Sequence, residues 1–99
     1  MKKVAGGLIY DTSKEYAKEI VTVEYGFAMG DFYHSVETLY MTTHGRFFVH
    51  GKGGSMTIWC EVYGATTTAG EGIVPMSPQE ALSWLEQKDV DIEKYPDVL

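Results

Sequence analysis

The stretch from Val36 to His50 constrains this chain most, because it reads as two strands and the turn that joins them. Val36 to Thr42 and Arg46 to His50 are apolar or aromatic runs flanking Thr43-His44-Gly45, which is hairpin spacing. Glycine at 45 supplies the positive φ that most residues tolerate poorly. Gly51-Lys52-Gly53-Gly54 is expected to end the second strand. From Ser55 to Tyr63, Met56, Ile58, Cys60 and Val62 alternate with Thr57, Trp59, Glu61 and Tyr63. That period of two predicts a third strand with one face on the core.

The flanks are read from local chemistry. Gly7 to Tyr10 suggests a short strand. Asp11-Thr12-Ser13 offers capping side chains for a brief helical turn over Lys14 to Lys18, and the β-branched Ile20 to Tyr25 suits a pleated surface. Gly26 to Asp31 and Gly64 to Gly72 read as loops, and Gly72-Ile73-Val74-Pro75 as a short extended lead into a helix. That helix carries the fullest signature: Ser77 as N-cap, Pro78 at the first helical position, and Glu80 completing a capping box. Ala81, Leu82, Trp84 and Leu85 form an apolar arc, with Gln79, Glu80, Ser83, Glu86 and Gln87 opposite. Asp91 is expected to cap a last turn through Ile92 and Tyr95, before Pro96. The fold class expected is α+β: a small antiparallel β-sheet packed against a C-terminal helix, with short extra helical turns.

The 99 residues suit a single domain over 1–99, and 44% hydrophobic residues suit a folded core rather than a disordered tail. Cys60 is alone, so no intrachain disulfide or multi-cysteine zinc site can form, and a reducing cytoplasm is the expected compartment. Met1 to Tyr10 is too short and too broken an apolar stretch for a signal peptide or a membrane span.

Charge is distributed very unevenly. Residues 1–52 balance Asp11, Glu15, Glu19, Glu24, Asp31 and Glu37 against Lys2, Lys3, Lys14, Lys18, Arg46 and Lys52. The whole net charge of −6 therefore falls on residues 53–99, where only Lys88 and Lys94 are basic. Glu80, Glu86, Asp89, Asp91, Glu93 and Asp97 crowd the last twenty residues. Such a field repels phosphate backbones, so direct nucleic-acid binding is not expected, and it favours a basic protein surface. Carboxylates four apart on a helix stand about 6 Å apart, and two apart on a strand about 6.7 Å, so an array of them can stand in for a row of phosphates.

Motifs for catalysis are sparse. His34, His44 and His50 lack the spacing of a zinc motif, although His44 and His50 could approach each other across the hairpin turn. Gly51-Lys52-Gly53-Gly54-Ser55 lacks the GxxxxGK[ST] pattern and precedes a strand rather than a helix. Ser55 stands in no G-x-S-x-G elbow, and Cys60 reads as a small buried hydrophobe. No catalytic residue, metal or cofactor is expected.

Three segments carry a resemblance. They are Glu37-Thr38-Leu39-Tyr40, then Gly45-Arg46-Phe47-Phe48-Val49-His50-Gly51-Lys52-Gly53-Gly54, then Gly70 through Glu86 with Ile73-Val74-Pro75-Met76-Ser77-Pro78 and Trp84-Leu85 within it. Together with Tyr10-Asp11-Thr12 and Gly30-Asp31-Phe32, they resemble a family of small acidic proteins of bacterial mobile elements and phages. The resemblance spans roughly residues 9–95. Lys52 departs from it, since the family commonly has an acid between those glycines. Some proteins similar to this family are anti-CRISPR inhibitors. The resemblance therefore implies a non-enzymatic protein in the cytoplasm of a host bacterium, binding the basic DNA-binding surface of a CRISPR-Cas effector as a DNA mimic. The protein-binding residues expected are Glu80, Glu86, Asp89, Asp91, Glu93 and Asp97. The alternatives are a small enzyme pairing a histidine with a carboxylate, and a homodimeric interaction module.

Overall fold

A four-stranded antiparallel sheet carries the fold. The computed structural model describes residues 1–25 and 32–88 together with Lys94. Along the described chain run β1 (Lys2–Ala5), β2 (Leu8–Asp11), β3 (Ala17–Tyr25), β4 (Ser35–Thr42), β5 (Phe47–Gly53), β6 (Glu61–Tyr63), β7 (Thr66–Thr68), β8 (Gly70–Met76) and α1 (Pro78–Gln87). The main sheet has the order β3-β4-β5-β8, while β1-β2 and β6-β7 form separate hairpins. The architecture is α+β, as the sequence predicts.

The central hairpin and the helix form where their local signals place them. Gly45 turns β4 into β5 at φ 81°, with Met41 opposite Phe47 and Leu39 opposite Val49. At the start of α1, the Glu80 N–H donates to Ser77 Oγ at 3.1 Å and the Ser77 N–H donates to Glu80 Oε1 at 2.9 Å. Ala81, Trp84 and Leu85 face the sheet and pack with Leu39, Phe47 and Val49. Burying each large apolar side chain contributes about 1.5–3 kcal/mol.

The opposite face of the sheet is covered by a hairpin that the sequence reading half missed. Gly6 and Gly7, at φ 59° and 77°, form a two-residue turn that pairs β1 with β2. Tyr10 from β2 meets Phe48 edge-on at 5.7 Å, and Tyr40 stacks on the same ring at 5.0 Å. Ala17 and Ile73 complete this second core.

Four expectations are corrected. Lys14 to Lys18 is not helical: Tyr16 and Ala17 N–H donate to the Ser13 carbonyl in a turn, and the chain enters β3 at Ala17. Ser55 to Tyr63 is not a third strand, because Thr57 N–H donates to Gly54 O and Cys60 N–H to Thr57 O, closing successive turns. Met56 and Ile58 are consequently exposed, Cys60 is only half-buried, and β6 pairs with β7 outside the main sheet. Gly64 to Gly72 is not one loop, since it holds the β6-β7 turn, β7 and the start of β8. Finally, Gly51 to Gly53 continue β5 instead of ending it. The glycines are needed there for close packing: a Cβ on Gly51 would overlap the Trp59 ring, and that ring also covers Gly72. The expected loop over Gly26 to Asp31 and the expected turn after Asp91 lie outside the described residues.

One buried carboxylate joins these parts. Glu37 on β4 is 6% exposed. Its Oε2 accepts from Trp59 Nε1–H at 3.0 Å, and its Oε1 accepts from Trp84 Nε1–H at 3.0 Å. Lys88 Nζ lies 3.3 Å from Oε1 and 4.7 Å from the centre of the Tyr25 ring. Burial alone would push the Lys88 pKa down, but the Tyr25 hydrogen bond and the Glu37 charge outweigh it and leave the value raised. Both ends of the helix are thereby fixed, one by its cap and one by this cluster.

Leu85→Ala is expected to cost about 2–5 kcal/mol in chemical denaturation, and Ser77→Ala about 1 kcal/mol. Glu37→Gln places an amide donor against an indole N–H and removes the charge facing Lys88. A loss of about 3–5 kcal/mol is expected, measured the same way. A smaller cost than Ser77→Ala would show that the cluster contributes little.

Candidate functional site

β1 and β2 cover only part of their face of the sheet, and the remainder carries polar side chains. Register sets this surface. Thr22 lies opposite Thr38, Thr38 opposite His50, and Lys52 opposite both Val36 and Glu71. Side chains two apart on a strand share a face, so His50 and Lys52 project to the same side as Thr38 and Glu71.

Two histidine–carboxylate pairs form there. His34 Nε2 lies 2.6 Å from Glu24 Oε1, and His50 Nε2 lies 2.8 Å from Glu71 Oε2. An ionised carboxylate can only accept, so each Nε2 carries the shared proton. Between the pairs, Thr22 Oγ1 and Thr38 Oγ1 meet at 3.0 Å, and Thr22 also donates to Glu19 at 2.9 Å. His34 is buried, whereas Glu24, Glu71 and Lys52 are exposed. The hydrogen bond from His50 holds the Glu71 carboxyl below its ordinary value of 4.5, with a smaller opposing effect of burial.

A cleft of about 800 Å³ opens beside this surface. Its lining includes the Gly53-Gly54-Ser55 segment, Phe32, His34, Lys52 and Glu71, and from the β6-β7 hairpin Glu61, Thr67 and Thr68. The glycine segment singled out in the sequence thus lines a concavity. It is nevertheless a strand end followed by a turn, not a phosphate loop leading into a helix. A second hollow of about 450 Å³ lies along α1, beside Ser77, Glu80 and Ser83.

The expected protein-binding residues fall differently. Glu80 is exposed, but one of its oxygens is engaged by the Ser77 N–H in the cap. Glu86 is exposed on the helix. Asp89, Asp91, Glu93 and Asp97 lie outside the described residues. The histidines are not brought together in the way that their spacing suggested. His44 is exposed in the turn, while His50 lies three residues into β5, about 10 Å along the strand from its start. Each of His34 and His50 instead finds its own glutamate. Among the described residues, no group of three or more His, Cys, Asp or Glu side chains is placed to hold a metal ion.

Sequence reasoning missed the carboxylate partners Glu24 and Glu71, and the Glu37 cluster with them. Pairing of β5 with β8 places Glu71 opposite Lys52, two residues from His50, but Glu71 falls in the part of β8 that the sequence suggests is loop.

The His50–Glu71 pair has a pH signature. Because the folded Glu71 pKa is lowered, its contribution to stability is present above about 4.5 and is lost as pH falls through the depressed value. Carboxyl NMR titration is expected to find Glu71 titrating below 4.5, and His50→Gln to return it toward the ordinary range. An unchanged Glu71 titration in His50→Gln would show that the pair does not act on the carboxyl.

Comparison with protein-family models, with curated proteins and with solved structures finds no match to this chain.

Proposed function

We propose that this protein is a non-enzymatic inhibitor that binds a CRISPR-Cas effector in the cytoplasm of a host bacterium. In this reading it presents an acidic, DNA-like surface to the effector's basic DNA-binding site. The observation that carries the reading is the charge partition: all of the net −6 resides in residues 53–99. The helix adds to it. Its inward arc is occupied by Ala81, Trp84 and Leu85, its outward arc presents Glu86 and, with one oxygen held in the cap, Glu80, and no basic residue stands in its last turn. The resemblance to small acidic mobile-element proteins points the same way. No helix among the described residues is long and apolar enough to cross a membrane.

A long-range field of one sign speeds encounter with a basic surface and fades as salt screens it over about 8 Å. Glu86→Lys combined with Asp89→Lys is expected to weaken binding to a purified effector by about tenfold, with circular dichroism checking that the fold is intact; the exposed Glu86 itself contributes little to stability. Glu15→Lys, in the neutral half of the chain, is expected to change it far less. Target DNA should compete, and affinity should fall as salt is raised. Binding that ignores salt, DNA and the helix reversals would overturn this reading.

A second reading rests on the two histidine–carboxylate pairs beside the 800 Å³ cleft. A histidine held by a carboxylate is the arrangement of a general base, and a cleft is where a substrate would sit. Under the inhibitor reading, His34→Gln and His50→Gln keep full inhibition. Loss of function in either, with the helix reversals silent, would favour the enzyme.

A further inference from the structure

The cleft beside the end of β5 and the start of β8 brings an exposed aromatic ring and two carboxylates to one concavity. Phe32 is 65% exposed, yet the backbone that carries it is anchored. The Phe32 carbonyl accepts from Met56 N–H at 3.0 Å, and the His34 carbonyl accepts from Gly54 N–H at 2.9 Å. These bonds lace the wall bearing the ring to the glycine segment. The face of such a ring attracts cations.

The carboxylates are held as well. The Glu61 stem lies where a Cβ on Gly70 would stand, and its Oε2 accepts from Tyr63 O–H at 2.6 Å. Glu71 Oε2 accepts from His50 Nε2–H. An ionised carboxylate has about four acceptor sites, so both keep capacity for further donors. Against them the described lining sets one ammonium, Lys52, so carboxylates outnumber ammonium groups two to one. A guanidinium suits such a place. Its plane stacks on an aromatic face while its edge donates in pairs to carboxylate oxygens, which the compact charge of an ammonium does less well.

We infer that this cleft receives an arginine side chain of a basic partner protein, its guanidinium stacked on Phe32 and bonded to Glu61, with Glu71 adding to the field. The volume of about 800 Å³ lies within the range of ligand sites and admits the side chain with the backbone that carries it. The inference rests on the proposed docking to a basic surface, and it names where one side chain of that surface is held. The exposed helix acids supply attraction over distance. An arginine seated in a pocket supplies an anchor, and such anchors are where binding energy concentrates.

The probe is N-acetyl-arginine methylamide, titrated into the full chain and followed by NMR. Saturable shifts are expected at Phe32, Gly53, Gly54 and Gly70, with a dissociation constant in the millimolar range. The neutral isostere N-acetyl-citrulline methylamide is expected to bind about tenfold more weakly. Glu61→Gln is expected to weaken the arginine probe by about tenfold, and Phe32→Leu by about threefold. Lys52→Gln removes the competing charge and is expected to tighten binding by about threefold. All three side chains are exposed, and dispersed amide spectra check that each variant is folded. Equal binding of the citrulline compound, shifts outside the cleft, or indifference to Glu61→Gln would overturn the inference. A negative arginine titration beside intact effector binding would overturn the cleft site and leave the inhibitor reading. Saturable arginine binding with no affinity for an effector would overturn the inhibitor reading alone.

Discussion

Glu37 is the point on which the packing of this protein depends. A buried carboxylate costs several kcal/mol unless its charge and oxygens are satisfied. Here the satisfying groups come from two separate stretches of chain: Trp59 from the turns after β5, and Trp84 with Lys88 from the body and C-cap of α1. A hydrophobic contact tolerates sliding, whereas two indole N–H donors and an ammonium fit one carboxylate in few arrangements. The angle of the helix and the path of the turn segment are therefore tied to the same atom pair. Gly51 belongs to the same arrangement, because the Trp59 ring that bonds Glu37 occupies the place a Cβ at Gly51 would take and also covers Gly72.

The two faces of the sheet serve different ends. One is closed by α1 and the Glu37 cluster, with Leu39, Phe47 and Val49 beneath. On the other, the β1-β2 hairpin packs on Phe48 and Ile73, beyond which lie the His34–Glu24 and His50–Glu71 pairs. A small domain has little core to spare, so the polar half-face stands out as surface not committed to folding.

Legibility in the sequence followed the range of each interaction. The hairpin from Val36 to His50 and the helix from Ser77 are specified by neighbours, a positive-φ glycine in one and a reciprocal cap in the other, and both were readable. The alternation from Ser55 to Tyr63 was real in the letters but misleading. Turns closed by Gly54 and Thr57 carbonyls override it so that Trp59 can reach Glu37, 22 residues distant in sequence. Gly72 to Pro75 of β8 was legible as an extended lead, but its start escaped because Gly70 and Gly72 are weak strand formers in isolation, and pairing with β5 holds them extended. The Glu37–Trp84 bond joins residues 47 apart, and the Glu71–His50 bond residues 21 apart, and nothing local in either residue announces its partner. The charge partition was legible in the sequence, but half of the eight acids behind it lie outside the described residues.

The cluster at Glu37 also gives the protein an internal reporter. The chain has two tryptophans, and both donate their indole N–H to that one carboxylate. Its tryptophan emission thus originates from a single node shared by the sheet, the turn segment and the helix. Events that loosen the helix from the sheet disturb both fluorophores together. The two indoles of this protein therefore share one hydrogen-bonded carboxylate as their common environment.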